Sequence, residues 1–247
     1  MEMHACYLQE AFALIQKLKE TLSVLRVVAL PQALEEIESY LAHADRQVDQ
    51  IHRRVICGEV IPHAEKVFSV FEPHTEWISK GKAGVPVELG LRVCILEDQY
   101  GFILHHHVME RQTDDQVAVL MVEKSQTRFP PLNQCSFDQG FHTPENQVKL
   151  RERLDHVILP KKGRLSKDQA LHENSEVFRK GKRQHSAVES AINALEVHGL
   201  DVCPDHGLEG YKRYAALAIV SRNIQKLGAL IRDRHRQDRR RARAKAA

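Results

Sequence analysis

The stretch Cys135-Ser136-Phe137-Asp138-Gln139-Gly140-Phe141-His142, read together with Arg183-Gln184-His185-Ser186-Ala187-Val188-Glu189, decides how this chain is organised. The first run is short and apolar and closes on Asp138, where a strand ends before Gly140. Glu189 falls inside a segment of helical pattern, Ser186 to Val197, which Gly199 stops. One carboxylate at a strand end and another on a later helix can converge on a divalent cation, which takes oxygen ligands. On spacing alone two blander readings stay open. Asp138 is also a natural turn or cap residue before Gly140, and Glu189 a solvated helix residue.

Working outward, the strand spans Asn133 to Phe137. Upstream of it, Asp114-Asp115-Gln116 caps a helix that runs to about Arg128 and is ended by Pro130-Pro131. Before that helix, Val87 to Glu97 and Tyr100 to Met109 read as a hairpin around Asp98-Gln99. The second arm carries His105-His106-His107. Neighbours on a strand point to opposite faces, so edge-strand histidines fit this triplet better than a metal site. Downstream, Thr143-Pro144-Glu145 opens a helix to about Leu154, and His156 to Leu159 is one more strand. A basic loop, Lys161-Lys162-Gly163-Arg164, follows it. From Ser166 the chain is mainly helical, with a turn at Gly207 to Gly210 and a long amphipathic helix from Tyr211 to about Arg232. Hairpin strands, then strand and helix in alternation, then helices, make an α/β order.

The N-terminal part differs. Leu8, Ala11, Ile15, Leu18, Leu22 and Leu25 step by three and four, and Leu34, Ile37, Leu41, Ala44, Val48, Ile51 and Val55 repeat the pattern after Pro31. The spacing predicts an antiparallel pair of helices over residues 1–57, a packing element or homodimer contact. Gly58 to Gly84 is broken by Pro62, Pro73, Gly81 and Gly84, with Val67 to Phe71 as a short strand. Lys80 and Lys82 flank Gly81, where backbone can come close to a phosphate.

The chain has 247 residues, 43% of them hydrophobic, and a formal net charge of only +3. The surplus is concentrated at the end: residues 232–247 hold eight Lys or Arg against two Asp. Such a tail is a solvated end or a contact for a polyanion. Five cysteines at wide spacings, without a C-x-x-C pair, argue for reduced thiols and against a zinc ribbon or disulfide framework. A basic leader is missing, as is an apolar run of about eighteen residues, so a soluble, intracellular protein is expected.

Phe137-Asp138-Gln139-Gly140-Phe141-His142 with Pro144-Glu145-Asn146, followed by Arg183 six residues before Glu189, resembles the second Asp and the Glu of bacterial insertion-sequence transposases of the DDE type. The resemblance takes in Phe71-Glu72-Pro73-His74-Thr75-Glu76-Trp77-Ile78-Ser79-Lys80-Gly81-Lys82 and Pro86-Val87-Glu88-Leu89-Gly90 upstream. Downstream it takes in Gly207-Leu208-Glu209-Gly210 and Ser221-Arg222-Asn223-Ile224, so it covers roughly Glu59 to Ile231. It implies a ribonuclease H-like mixed sheet with flanking helices over residues 58–231, preceded by the helical hairpin of 1–57 and followed by the basic tail 232–247. It also implies Asp138 and Glu189 as catalytic ligands of Mg2+ or Mn2+, and DNA strand cleavage and transfer at insertion-sequence ends. DNA is then the partner, contacted by Lys80, Lys82, Lys161, Lys162, Arg164, Arg183, Arg239, Arg240 and Arg241, in the bacterial cytoplasm or on the nucleoid. The family's first catalytic Asp, on a strand upstream of the Glu-Pro-His-Thr-Glu block, has no counterpart here. A truncated copy with its first strand missing is therefore the expectation. Two alternatives stand beside it: a non-catalytic DNA-binding or regulatory remnant, and an oligomerisation protein built on residues 1–57.

Overall fold

The structure, a computed structural model, describes residues 2–79, 86–197, 199–200 and 202–246; the side chains of residues 2, 186–189, 245 and 246 lie outside that description. The chain forms two compact units, Met1–Leu91 and Arg92–Ala247. The helical pair thus shares its unit with residues 58–91.

In the first unit, α1 (Glu2–Leu25) and α2 (Pro31–Ile51) form the predicted antiparallel pair. Leu8, Ile15 and Leu22, each two turns apart, meet Leu41 and Val48, and all five are buried. Leu30 is extended and Pro31 takes the first helical position, where its missing N–H costs nothing. Lys19–Asp45 (2.7 Å) and Arg26–Glu38 (2.6 Å) pair across the outside of the hairpin. Two expectations fail beyond it. Val67 to Phe71 is not a strand, because the Gln50 side chain takes both backbone groups of Val67 (Gln50 Nε2 donating to Val67 O at 2.7 Å, and Gln50 Oε1 accepting from Val67 N at 2.9 Å). The strand lies later: β1 (Glu76–Ser79) pairs antiparallel with β2 (Val87–Gly90).

Consequently the expected strand Val87 to Glu97 is two strands, and β3 (Arg92–Glu97) begins the second unit. It forms the predicted hairpin with β4 (Ile103–Met109). Asp98 builds the turn, its Oδ1 accepting from Tyr100 N and Phe102 N at 2.9 Å each, and Gly101 supplies the positive φ (+83°). The hairpin is covered on two faces. Cys94 and Leu96 pack with Met109 against Val117 and Met121 of α3 (Asp114–Arg128). Ile95 and Ile103 pack instead with Leu195, Ala218 and Ile219, from α6 (Glu176–Val197) and α7 (Gly207–Ala246). The period of two along β3 thus separates one helix layer from the other.

The opposite flank of α3 covers a second motif. Ala118 and Val122 join Phe137, Leu150, Leu154, Val157 and Leu159. Here β5 (Gln134–Ser136) pairs in parallel with β6 (His156–Ile158), connected through α4 (Pro144–Arg151). Thr143 caps α4, and the buried Asn146 donates to Asp115 O and Phe141 O at 2.7 and 2.9 Å. After β6 come α5 (Lys167–Glu173), α6 and α7.

The fold class is α/β. Among the described residues the strands form three separate two-stranded sheets. Three boundaries differ from expectation. Thr113, in a capping box with Gln116, caps α3, so Asp114 and Asp115 sit in its first turn. The helix bearing Glu189 starts at Glu176, ten residues early. Gly207 to Gly210 is no free turn but the start of α7. A Cβ at Gly210 would stand 2.8 Å from Asp205 Cγ, so the glycine leaves room for Asp205 to fold over the helix start and pair with Arg213 at 3.1 Å. The basic tail continues this helix to Ala246.

Candidate functional site

Parallel strands end together, and loops after their C-terminal ends are where open α/β folds place ligands. Asp138 follows β5 there, exposed, at the start of the short 3₁₀ turn Gln139–Phe141. Its Oδ1 accepts from Gln139 N at 2.7 Å. The cap reading of Asp138 is therefore correct, and it leaves carboxylate lone pairs for another ligand. Gln139 Nε2 donates to Lys161 O at 2.8 Å, which ties the loop after β6 to the loop after β5. Gly140 lies against α3: a Cβ there would stand 2.7 Å from Asp114 Oδ2.

Helix α6 crosses this strand pair. A Cβ at Gly181 would stand 2.5 Å from Ile158 Cγ1, so the helix axis comes closest to β6 where it has no side chain. One turn later, His185 Nδ1 and Ser136 Oγ share a hydrogen bond of 3.2 Å on β5. Helix positions four apart share a face. Glu189 is one further turn along the same helix; its side chain lies outside the described residues. The contacts of Gly181 and His185 thus lay α6 against both strands of the pair that Asp138 follows.

The basic residues fall into three groups. Lys162 and Arg164 are exposed on the loop after β6. Lys161 is half-buried and works internally, its N–H donating to Glu173 Oε1 at 2.8 Å and its Nζ to Gln169 Oε1 at 2.7 Å. Arg183 is exposed on α6, together with Arg179, Lys180 and Lys182, which the sequence reading passed over. The signal was present in the run Arg179-Lys180-Gly181-Lys182-Arg183. Arg239, Arg240 and Arg241 are exposed on the last third of α7. Lys80 and Lys82 lie outside the described residues.

Burial also marks the thiols and histidines of the β3–β4 and β5 strands. Burial pushes the thiols of Cys94 and Cys135 up to about 12, so neither offers a thiolate near neutral pH. Burial also lowers His105 and His106, with Arg128 as the next contributor in each case, and His107 Nε2 is held by Gln112 Oε1 at 2.7 Å. Among the described residues no three His, Cys, Asp or Glu side chains stand close enough to hold a metal ion. Nor is any described helix long and apolar enough to cross a membrane. The chain matches no family model, no curated protein and no solved structure.

Proposed function

We propose that residues 92–246 form the metal- and DNA-contacting part of a DDE transposase with a ribonuclease H-like core. In this reading Asp138 and Glu189 are two of its three carboxylates. The observation that carries it is the crossing of α6 over β5 and β6. Gly181 on Ile158 and His185 on Ser136 hold the helix against β6 and against β5, the strand that Asp138 follows. The ordered motifs of the sequence support the same assignment.

Asp138 and Glu189 are the residues that would hold Mg2+ or Mn2+, hard cations that prefer carboxylate oxygens. When bound, the cations would stabilise the attacking and leaving oxygens of a phosphodiester exchange. Two carboxylates are a partial set of the three that this reading calls for. Lys162, Arg164, Arg183 and Arg239 to Arg241 would neutralise phosphates and position the duplex without reading its sequence.

Two measurements test this. Mn2+ binding followed by electron paramagnetic resonance should be weak, about millimolar like the loosest oxygen sites, and should be lost in Asp138→Asn and in Glu189→Gln. Duplex affinity should fall with salt, and the triple variant Arg239, Arg240, Arg241→Ala should flatten the log–log slope by about 0.9 per phosphate contact removed. Mn2+ binding indifferent to both acids would end the active-site assignment. Salt-sensitive DNA binding that accompanies such a result would favour the non-catalytic regulator instead.

A further inference from the structure

Helix α7 is apolar on two opposite sides, and only one of them is used within the second unit. Ala215, Ala218 and Ile219 are buried, and Asn223 is bonded to Ile103. At 100° per residue these positions share one side of the helix. Leu217 (64% exposed), Val220 (52%), Ile224 (64%), Leu227 (50%) and Ile231 (46%) occupy the other. Their spacing is three, four, three, four, the a/d repeat of a coiled-coil seam, with β-branched Ile224 and Ile231 at a and Leu227 at d.

We propose that this stripe is a homodimer seam, α7 packing antiparallel on α7 of a second copy. The seam is about 80° wide, the narrow a/d stripe that suits a single facing helix; a helix packed on a globular core presents a broader apolar face, about 100° or more. The five side chains offer on the order of 500 Å2 per copy, so about 1,000 Å2 across the pair, the size at which a specific interface begins. Charge selects the orientation. Residues 232–246 carry eight Lys or Arg and two Asp, so a parallel pair would set two strongly positive segments side by side. An antiparallel pair sends them to opposite ends. With the two-fold axis level with Gln225, Arg241 lies as far beyond it as Glu209 lies before it. The basic segment of each copy then runs past the exposed Glu209 at the helix start of the other. This inference does not rest on the transposase reading: a dimer that ignores metal and DNA would satisfy it.

Sedimentation equilibrium of the full chain at micromolar concentration tests it. The expected result is a dimer. Ile224→Glu with Leu227→Glu, both at exposed positions, should raise the dissociation constant at least 100-fold with unchanged circular dichroism. Leu14→Glu with Leu18→Glu on α1 should leave it alone. Raising salt from low to molar concentration should leave the antiparallel dimer unchanged or slightly weaker. A monomeric wild type, or a dimer that survives the α7 substitutions, overturns the proposal. Dimerisation that tightens tenfold or more with salt overturns the antiparallel arrangement. A monomer that binds anionic vesicles through the same residues would assign the stripe to a lipid surface.

Discussion

Replacing Asn223 by Leu should destabilise the second unit and spare the first. Asn223 Nδ2 donates to Ile103 O at 2.9 Å, and its Oδ1 accepts from Ile103 N at 3.0 Å. Ile103 begins β4 and is 4% exposed, so water is poorly placed to take over either bond. An edge strand presents just such a pair of groups, and one side-chain amide from α7 satisfies both. Leucine is similar in size, so packing is nearly kept while two backbone groups lose their partners. At about 1–3 kcal/mol for each of the two stranded groups, a loss of about 2–6 kcal/mol is expected. Asn223→Asp keeps the acceptor and loses the donor, and should cost about half as much. Trp77, the single tryptophan, lies in the first unit and reports on it by fluorescence during urea unfolding. Its transition should not move. Amide exchange at Ile103 and helical circular dichroism report on the second unit, and both should weaken. A loss below about 0.5 kcal/mol with Ile103 protection unchanged would show that the two bonds contribute nothing.

Gly181→Ala would normally favour a helix by about 1 kcal/mol, but a Cβ there meets Ile158 Cγ1 at 2.5 Å. Overpacking of about 1–3 kcal/mol should win, lowering the unfolding midpoint; Ile158→Ala in the same chain should recover part of it, and two simply additive losses would refute the contact. The hairpin histidines give a pH dependence. Because burial lowers His105 and His106, the unfolded chain takes up protons first as pH falls below about 6.5. Stability should therefore be full above that value and decline as pH drops toward the lowered folded values. His105→Gln with His106→Gln should flatten the decline in melts between pH 7 and 5; an unchanged slope would place its origin elsewhere.

Much of the fold was legible in local pattern. The three-and-four stepping of Leu8 to Val55 needs only a partner helix of the same kind, and each of α1 and α2 provides one. The hairpin around Asp98 and the helix from Asp114 to Arg128 are also written locally, in turn chemistry and capping. The site was legible in part. Of the proposed site, the ordered motifs single out Asp138 and Glu189, while the basic run around Gly181 went unread beyond Arg183. How α6 approaches the strands was not, because it depends on Gly181 meeting Ile158, a residue more than twenty positions away with no pattern linking the two.

The sequence by itself determined the elements whose stabilising partners lie within a few residues: caps, turns, and apolar faces of period 3.6 or 2. Tertiary structure decided the rest, wherever a distant side chain competes for the backbone or for space. Val67 reads as strand, yet Gln50 occupies its N–H and C=O, so the ladder forms at Glu76–Ser79 instead. Gly207 to Gly210 reads as a turn, yet Asp205 folds into the space at Gly210 and the helix starts there. Asn223 reads as one polar residue on a long helix, and becomes the cover for an edge strand 120 residues earlier. A backbone N–H has one hydrogen to donate, and which partner reaches it in three dimensions is not written in its neighbours along the chain.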